Sequence, residues 1–132
     1  MNTLEEHLKF CNFEKYLKKL VKKLQGKTIL VYGTGSMFQY IQKNYDLSGL
    51  NIVAVSDGKY LLEQEGQEDL GYKIIPKEKL EEYDVDVVLL GLQNYIGVLC
   101  NFSSEVYKNK NTKIYPLVRI PLWKCLKDIW FS

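Results

Sequence analysis

Short apolar runs alternate with stretches in which apolar residues recur every three or four positions, almost from end to end of the chain. The first stretch, 3–25, has the helical period: Leu17, Leu20, Val21 and Leu24 share one face, while Lys15, Lys18, Lys19, Lys22 and Lys23 take the other positions. Gly26 closes this predicted helix. A strand is predicted over 27–32, then a helix from about 36 to 45 with Phe38, Ile41 and Tyr45 on one face and Ser48-Gly49 as its breaker. The unbroken run Ile52-Val53-Ala54-Val55 marks a second strand over 51–56, apolar on both faces as a buried parallel strand must be.

Residues 58–71 are polar and hold Gly58, Gly66 and Gly71, which predicts a loop with a helical turn near 61–64. A short strand over 72–75 stops at Pro76, which also opens a short helix to about Tyr83. The most apolar run, 85–92, is the fourth strand. Residues 95–109 read as helix, 113–117 as a fifth strand, and Pro121 begins a last helix with Leu122, Leu126, Ile129 and Trp130 on one face. This alternation predicts one α/β domain, a three-layer α/β/α sandwich of the Rossmann-like kind. Its parts are an extra N-terminal helix (1–26), an α/β core (27–117) around a five-stranded parallel sheet of order 3-2-1-4-5, and a C-terminal helix (118–132).

In that order the C-terminal ends of the first and fourth strands are neighbours at the switch point, where such sheets open a crevice. Gly33-Thr34-Gly35-Ser36 follows the first strand and opens a helix. Glycines there let the backbone turn tightly against a phosphate, and the helix start offers free N–H groups and a positive dipole end. Asp57 ends the second strand, 24 residues after Gly33, close to the spacing at which an acid meets a ribose hydroxyl. Gly91, at the end of the fourth strand, and Gln93, Asn94 and Tyr95, just past it, face the same crevice. The bland alternatives are a turn that needs glycine's positive φ, a loop acid at Asp57, and Asn94 as the cap of the next helix; the spacing favours this last role for Asn94. Tyr32 and Tyr40 read as packing residues. An acid at Asp57 disfavours a 2′-phosphate, so NAD or a uridine nucleotide is accepted more easily than NADP, although Lys59 softens that preference.

Composition narrows the partners. The length suits one core, and no apolar run approaches the roughly 18 residues of a membrane span. The start, with Asn2, Glu5, Glu6 and His7, lacks the pattern of a signal peptide. Cys11, Cys100 and Cys125 are odd in number and far apart, which fits a reducing cytoplasm, and one histidine without Cys-x-x-Cys gives no zinc site. Net charge is +2, yet residues 1–27 carry seven lysines against three acids and residues 57–86 carry ten acids against four lysines. The lysines read first as solvated helix faces; no reader motif points to nucleic acid. Trp123, Trp130 and Phe131 suit an interface anchor, from which a homodimer through the C-terminal helix is expected.

The segments KTILVYGTGSMFQYI (27–41), NIVAVSDGKY (51–60), LGYKIIPKEKLEEYDVDVVLLGLQN (70–94) and KIYPL (113–117) resemble a recurring bacterial module. It is the NAD(P)- or sugar-nucleotide-binding Rossmann-like domain of surface-glycan biosynthesis proteins, similar to the N-terminal domain of glycan acetyltransferases. The resemblance implies that Gly33, Gly35 and Ser36 hold phosphate in a cofactor-binding turn that includes Thr34, that Asp57 contacts a ribose or base, and that the protein is an accessory or regulator of a glycan pathway. It departs from the pattern at Phe38, where a third glycine normally lets the helix pack closely on the strand. A phenyl ring there pushes the helix away or fills space beneath it. The acetyltransferases' catalytic residues lie in a second domain, so a non-catalytic protein is expected.

No Ser-His-Asp set and no Tyr-x-x-x-Lys pair stands beside the turn, so a general acid or base is missing from the pocket. Three readings follow: a nucleotide-binding accessory domain holding NAD or a nucleotide sugar without a metal; a degenerate Rossmann domain kept for protein–protein contact; and an enzyme whose site forms only between subunits.

Overall fold

The computed structural model describes residues 3–121. Two helices lead, α1 (Thr3–Phe10) and α2 (Phe13–Lys23). The core then runs β1 (Ile29–Tyr32), α3 (Ser36–Asn44), β2 (Ile52–Ser56), β3 (Glu68–Asp69), β4 (Tyr72–Ile74), β5 (Val87–Leu90), α4 (Ile96–Asn101) and β6 (Lys113–Pro116). Short 3-10 segments at Leu62–Gln64 and Lys77–Glu82, and a π-helical stretch at Phe102–Val106, complete the crossovers. The predicted C-terminal helix, its dimer contact and Cys125 lie outside the described residues.

One six-stranded sheet carries the fold, in the order β3-β4-β2-β1-β5-β6. Five strands pair in parallel and, taken alone, follow the expected 3-2-1-4-5 order. The sixth corrects the five-strand count: β3 pairs antiparallel with β4, Asp69 opposite Tyr72, across the two-residue turn Leu70-Gly71. Both turn residues have positive φ, 56° and 88°, as a type I′ hairpin demands. Leucine is a costly choice at such a position, and Glu68-Asp69 is a polar pair, so neither strand nor turn has its usual sequence signature. The sheet and its helices form a Rossmann-like α/β domain.

β1 is buried at every residue because it lies between β2 and β5 with cover on both faces. Ile29 and Val31 point into one core with Leu8, Phe13, Leu17 and Leu20 of the leading helices and Phe38 and Ile41 of α3. Leu30 and Tyr32 point into the other, with Leu80, Phe102 and Tyr107. Among the described residues, α1, α2 and α3 cover the first face, whereas short helical segments cover the second. Val53 is the extra residue of a register shift between β1 and β2 and is 40% exposed, unusual for a strand inside a parallel sheet.

The single N-terminal helix expected over 3–25 is two helices. Asn12 adopts the left-handed conformation (φ 53°, ψ 48°) that breaks an α-helix, which asparagine tolerates better than most residues. The break lets Leu8 and Phe13 both reach the core, each 1% exposed.

Candidate functional site

The chain leaves β1 at Gly33, whose φ of 103° favours glycine and whose missing side chain matters. A Cβ there would stand 2.7 Å from Leu92 Cδ2. Gly91, at the end of β5, is equally constrained, since a Cβ would stand 2.5 Å from the Gly33 carbonyl oxygen. Two backbone turns thus pack against each other at the switch point, and only glycine at both allows it. Gly33 also donates its N–H to the Ser56 carbonyl at 2.9 Å, tying the turn to the end of β2.

Gly35 differs. Its φ is −81°, its ψ −157°, and a Cβ would meet nothing within 4 Å. Neither backbone conformation nor a protein neighbour requires glycine here. Gly35 is the N-cap of α3 and supplies no side-chain cap, so the first-turn N–H groups face outward beside an exposed Ser36.

Thr34 sits between these glycines, fully buried and fully engaged. Its N–H donates to Asp57 Oδ2 at 2.8 Å, and its carbonyl accepts from Gln39 Nε2 at 2.9 Å and Lys59 Nζ at 3.3 Å. Its hydroxyl lies 2.9 Å from the Tyr60 hydroxyl and 3.4 Å from Asp57 Oδ2. Tyr60 gives its one proton to Asp69 Oδ2 at 2.6 Å, so Thr34 must be the donor to Tyr60. Burial, reinforced by that bond to Asp69, pushes the Tyr60 phenol up to about 12. Gln42 Nε2 of α3 holds the tip of the β3–β4 hairpin through the Leu70 carbonyl at 2.8 Å. The glycine turn, α3 and the hairpin are therefore one connected unit.

Asp57 is a half-buried loop acid that closes on its own neighbourhood. Oδ2 holds Thr34, and Oδ1 accepts the Lys59 N–H at 3.1 Å in an Asx turn. One N–H of the turn is thereby spent on a carboxylate, leaving the α3 first turn as the open anion-facing part. The Ser56 hydroxyl, at the end of β2, is buried without a hydrogen-bond partner. Tyr32 packs edge-on against Phe102, ring centroids 4.8 Å apart. Burial, with Asp57 and Glu78 adding to it, raises its phenol above the ordinary value.

Of the residues singled out from the sequence, the fold gathers Gly33, Thr34, Asp57 and Gly91 into one contact set and leaves Gly35 and Ser36 exposed at its rim. Gln93 and Asn94 are exposed in the loop after β5. The expected cap at Asn94 is corrected: Tyr95 is the N-cap of α4, in helical conformation and without a side-chain cap bond. Phe38 is 0% exposed in the core beneath α3, so the phenyl ring fills space and helix packing survives the lost glycine. Tyr60, Asp69 and Gln39 are the residues that sequence reasoning missed. Only Gly71, as a turn signal, hinted at the hairpin that delivers Asp69. His7, on α1, stands apart from this unit, its Nε2 3.7 Å from Cys11 Sγ. Among the described residues no group of three or more His, Cys, Asp or Glu side chains could hold a metal, and no helix is long and apolar enough to cross a membrane.

No family model matches the chain, and no curated protein matches it. Solved structures similar to it include RSP in complex with β-NADH, at 14% identity and TM-score 0.47 over 89% of this chain and 66% of that one. A chorismate mutase/shikimate 5-dehydrogenase fusion protein from Clostridium acetobutylicum is also similar, at 14% identity and TM-score 0.45 over 92% and 54%. So is shikimate dehydrogenase 1 from Peptoclostridium difficile, at 13% identity and TM-score 0.47 over 91% and 54%. This chain spans roughly half to two thirds of their lengths. At such identities and scores they carry no weight for function.

Proposed function

We propose that this protein is a nucleotide-binding Rossmann-like domain that seats the phosphates of NAD or a nucleotide sugar on the first turn of α3. The observation that carries the reading is Gly35, a glycine that neither the backbone nor any protein neighbour requires, at an uncapped helix start. Gly35, Ser36 and the following N–H groups hold phosphate; Asp57, Gln93 and Asn94 border the nucleoside. Because Asp57 holds the Thr34 N–H, the ligand relies on the helix turn and not on Thr34. The protein is non-catalytic alone: the proton carriers beside the turn are engaged, Asp57 with the Thr34 N–H, Lys59 with the Thr34 carbonyl, and Tyr60 with the Thr34 hydroxyl and Asp69. A cytoplasmic accessory role in a surface-glycan pathway, and a homodimer, complete the proposal; the glycan setting rests on the resemblance alone.

A thermal-shift screen of NAD, NADP and several UDP- and GDP-sugars tests it. A ligand at about a hundred times its dissociation constant adds roughly 2.7 kcal/mol of stability. A shift with one nucleotide class that Gly35→Val abolishes is expected. A flat screen overturns the reading in favour of a degenerate Rossmann domain kept for protein contact. Two observations favour that second reading: Leu92 lies against Gly33, and Asp57 already occupies an N–H that a phosphate would use.

A further inference from the structure

A second hollow, of about 250 Å³, opens on the far side of the sheet's centre from the β3–β4 hairpin, where α2 meets the end of β6. Lys15 and Lys19, one turn apart on α2, border it with Arg119, Tyr16 and Asn12. Among the described residues its wall carries no carboxylate. The ion pairs among the described residues are Lys9–Glu5, Lys79–Glu82 and Lys110–Asp84, so none neutralises these three cations. Like charges at i and i+4 destabilise the helix that bears them, and Arg119 adds a third.

Arg119 is held in place. The Tyr16 hydroxyl donates to the Pro116 carbonyl at 2.7 Å, which fixes the ring against the end of β6. The exposed Arg119 places its guanidinium carbon 5.1 Å from the centroid of that ring, a cation–π contact that needs none of its N–H donors. Lys23 lies over Tyr115 at 4.2 Å in the same manner, one turn further along α2. Three cations bordering one hollow, one of them a guanidinium with a planar fork of donors, match a compact tetrahedral dianion better than a monoanion. The hollow has room for a phosphate with a small organic substituent, given that each water takes about 30 Å³ of liquid.

We propose that this hollow is a binding site for a small phosphorylated metabolite, separate from the turn at α3, with Arg119 as the bidentate ligand and Lys15 and Lys19 as charge partners. Titration calorimetry with inorganic phosphate and pyrophosphate, in a phosphate-free buffer of low ionic strength, tests it. Binding at one site per chain is expected, weakened about tenfold or more by Arg119→Ala or Lys19→Ala, with far-UV circular dichroism unchanged. Arg119→Lys should restore it only in part, since a lysine cannot reproduce the fork. Lys22→Ala removes an equal charge from α2 but borders a different groove with Val21 and Tyr45, so it should change affinity less than about twofold. No heat with either anion, or equal losses in Lys22→Ala and Lys19→Ala, overturns the proposal. Loss of anion binding in Gly35→Val with Arg119→Ala unaffected assigns the anion to α3 and overturns it too, while sparing the nucleotide reading.

Discussion

Gly33 and Gly35 stand two residues apart in one turn, yet substituting each by alanine should have opposite consequences. At Gly33 the added Cβ meets Leu92 Cδ2 at 2.7 Å in a backbone of φ 103°. A non-glycine residue in such a region costs about 1–3 kcal/mol, and overpacking about 1–3 more. Leu92 is only half-buried and its tip can turn aside, so the sum falls to about 2–4 kcal/mol. For a chain of this length about 4 °C of melting temperature follows each kcal/mol, so Gly33→Ala should lower it by about 8–16 °C. At Gly35 the backbone suits alanine and the Cβ meets nothing. The gain from a stiffer unfolded chain, about 0.4–1 kcal/mol, offsets a similar loss from a poorer N-cap, so the melting temperature should move by no more than about 2 °C. Nucleotide affinity should behave the other way, falling in Gly35→Ala because the methyl group enters the space a phosphate needs. Differential scanning fluorimetry with and without nucleotide reads both effects. A melting temperature that drops equally in the two variants would refute the argument, because Gly35 would then be structural. Unchanged nucleotide affinity in Gly35→Ala would refute the functional half.

Restoring the fingerprint glycine in Phe38→Gly should destabilise by more than about 4 kcal/mol without tightening nucleotide binding, since it empties a core position inside a helix; urea titration checks this. Tyr60→Phe takes from Asp69 its tyrosine donor and leaves the buried Thr34 hydroxyl only its longer 3.4 Å contact with Asp57, and should cost about 1–3 kcal/mol in the same assay. Alkaline pH should unfold the protein progressively. Burial raises Tyr16, Tyr60 and Tyr107 to about 12, so the stability these phenols contribute is complete below about pH 10 and lost as pH rises toward 12. Tyr107→Phe should flatten that limb and leave stability at pH 7 equal or higher, because its buried hydroxyl has no partner. On the acid side, the Thr28 N–H holds the Asp86 carboxyl below its usual range. That contribution is present above about pH 4 and lost as pH falls through the lowered value, a limb that Asp86→Asn should remove from a pH series of melting temperatures.

The parallel strands were legible because each is a run of apolar residues too short for a helix and apolar on both faces, as 52–55 and 87–90 show. Their parallel pairing followed from strand–helix alternation. The hairpin was hidden because Glu68 and Asp69 are polar and because leucine takes a turn position that asparagine or glycine would advertise. The break between α1 and α2 had a visible sign in Asn12, which helical periodicity on either side concealed. At the site, the glycines and Asp57 were readable by spacing, but the bond between Asp57 and the Thr34 N–H was not, since it depends on how closely the ends of β1 and β2 approach. Phe38 departs from the fingerprint, and of the two outcomes expected there, pushing the helix away or filling space beneath it, the second holds, since the ring is buried in the core under α3.

The place of β1 in the sheet bears on how the chain is made. Its partner on one side, β2, follows within some twenty residues, but its partner on the other, β5, pairs Ile29 with Val87 and Tyr32 with Leu90. A ribosome releasing the chain from its N-terminus therefore exposes α1 through β4 well before β5 emerges. Through that interval β1 presents an open edge of wholly apolar residues, the kind of edge that templates pairing with another chain.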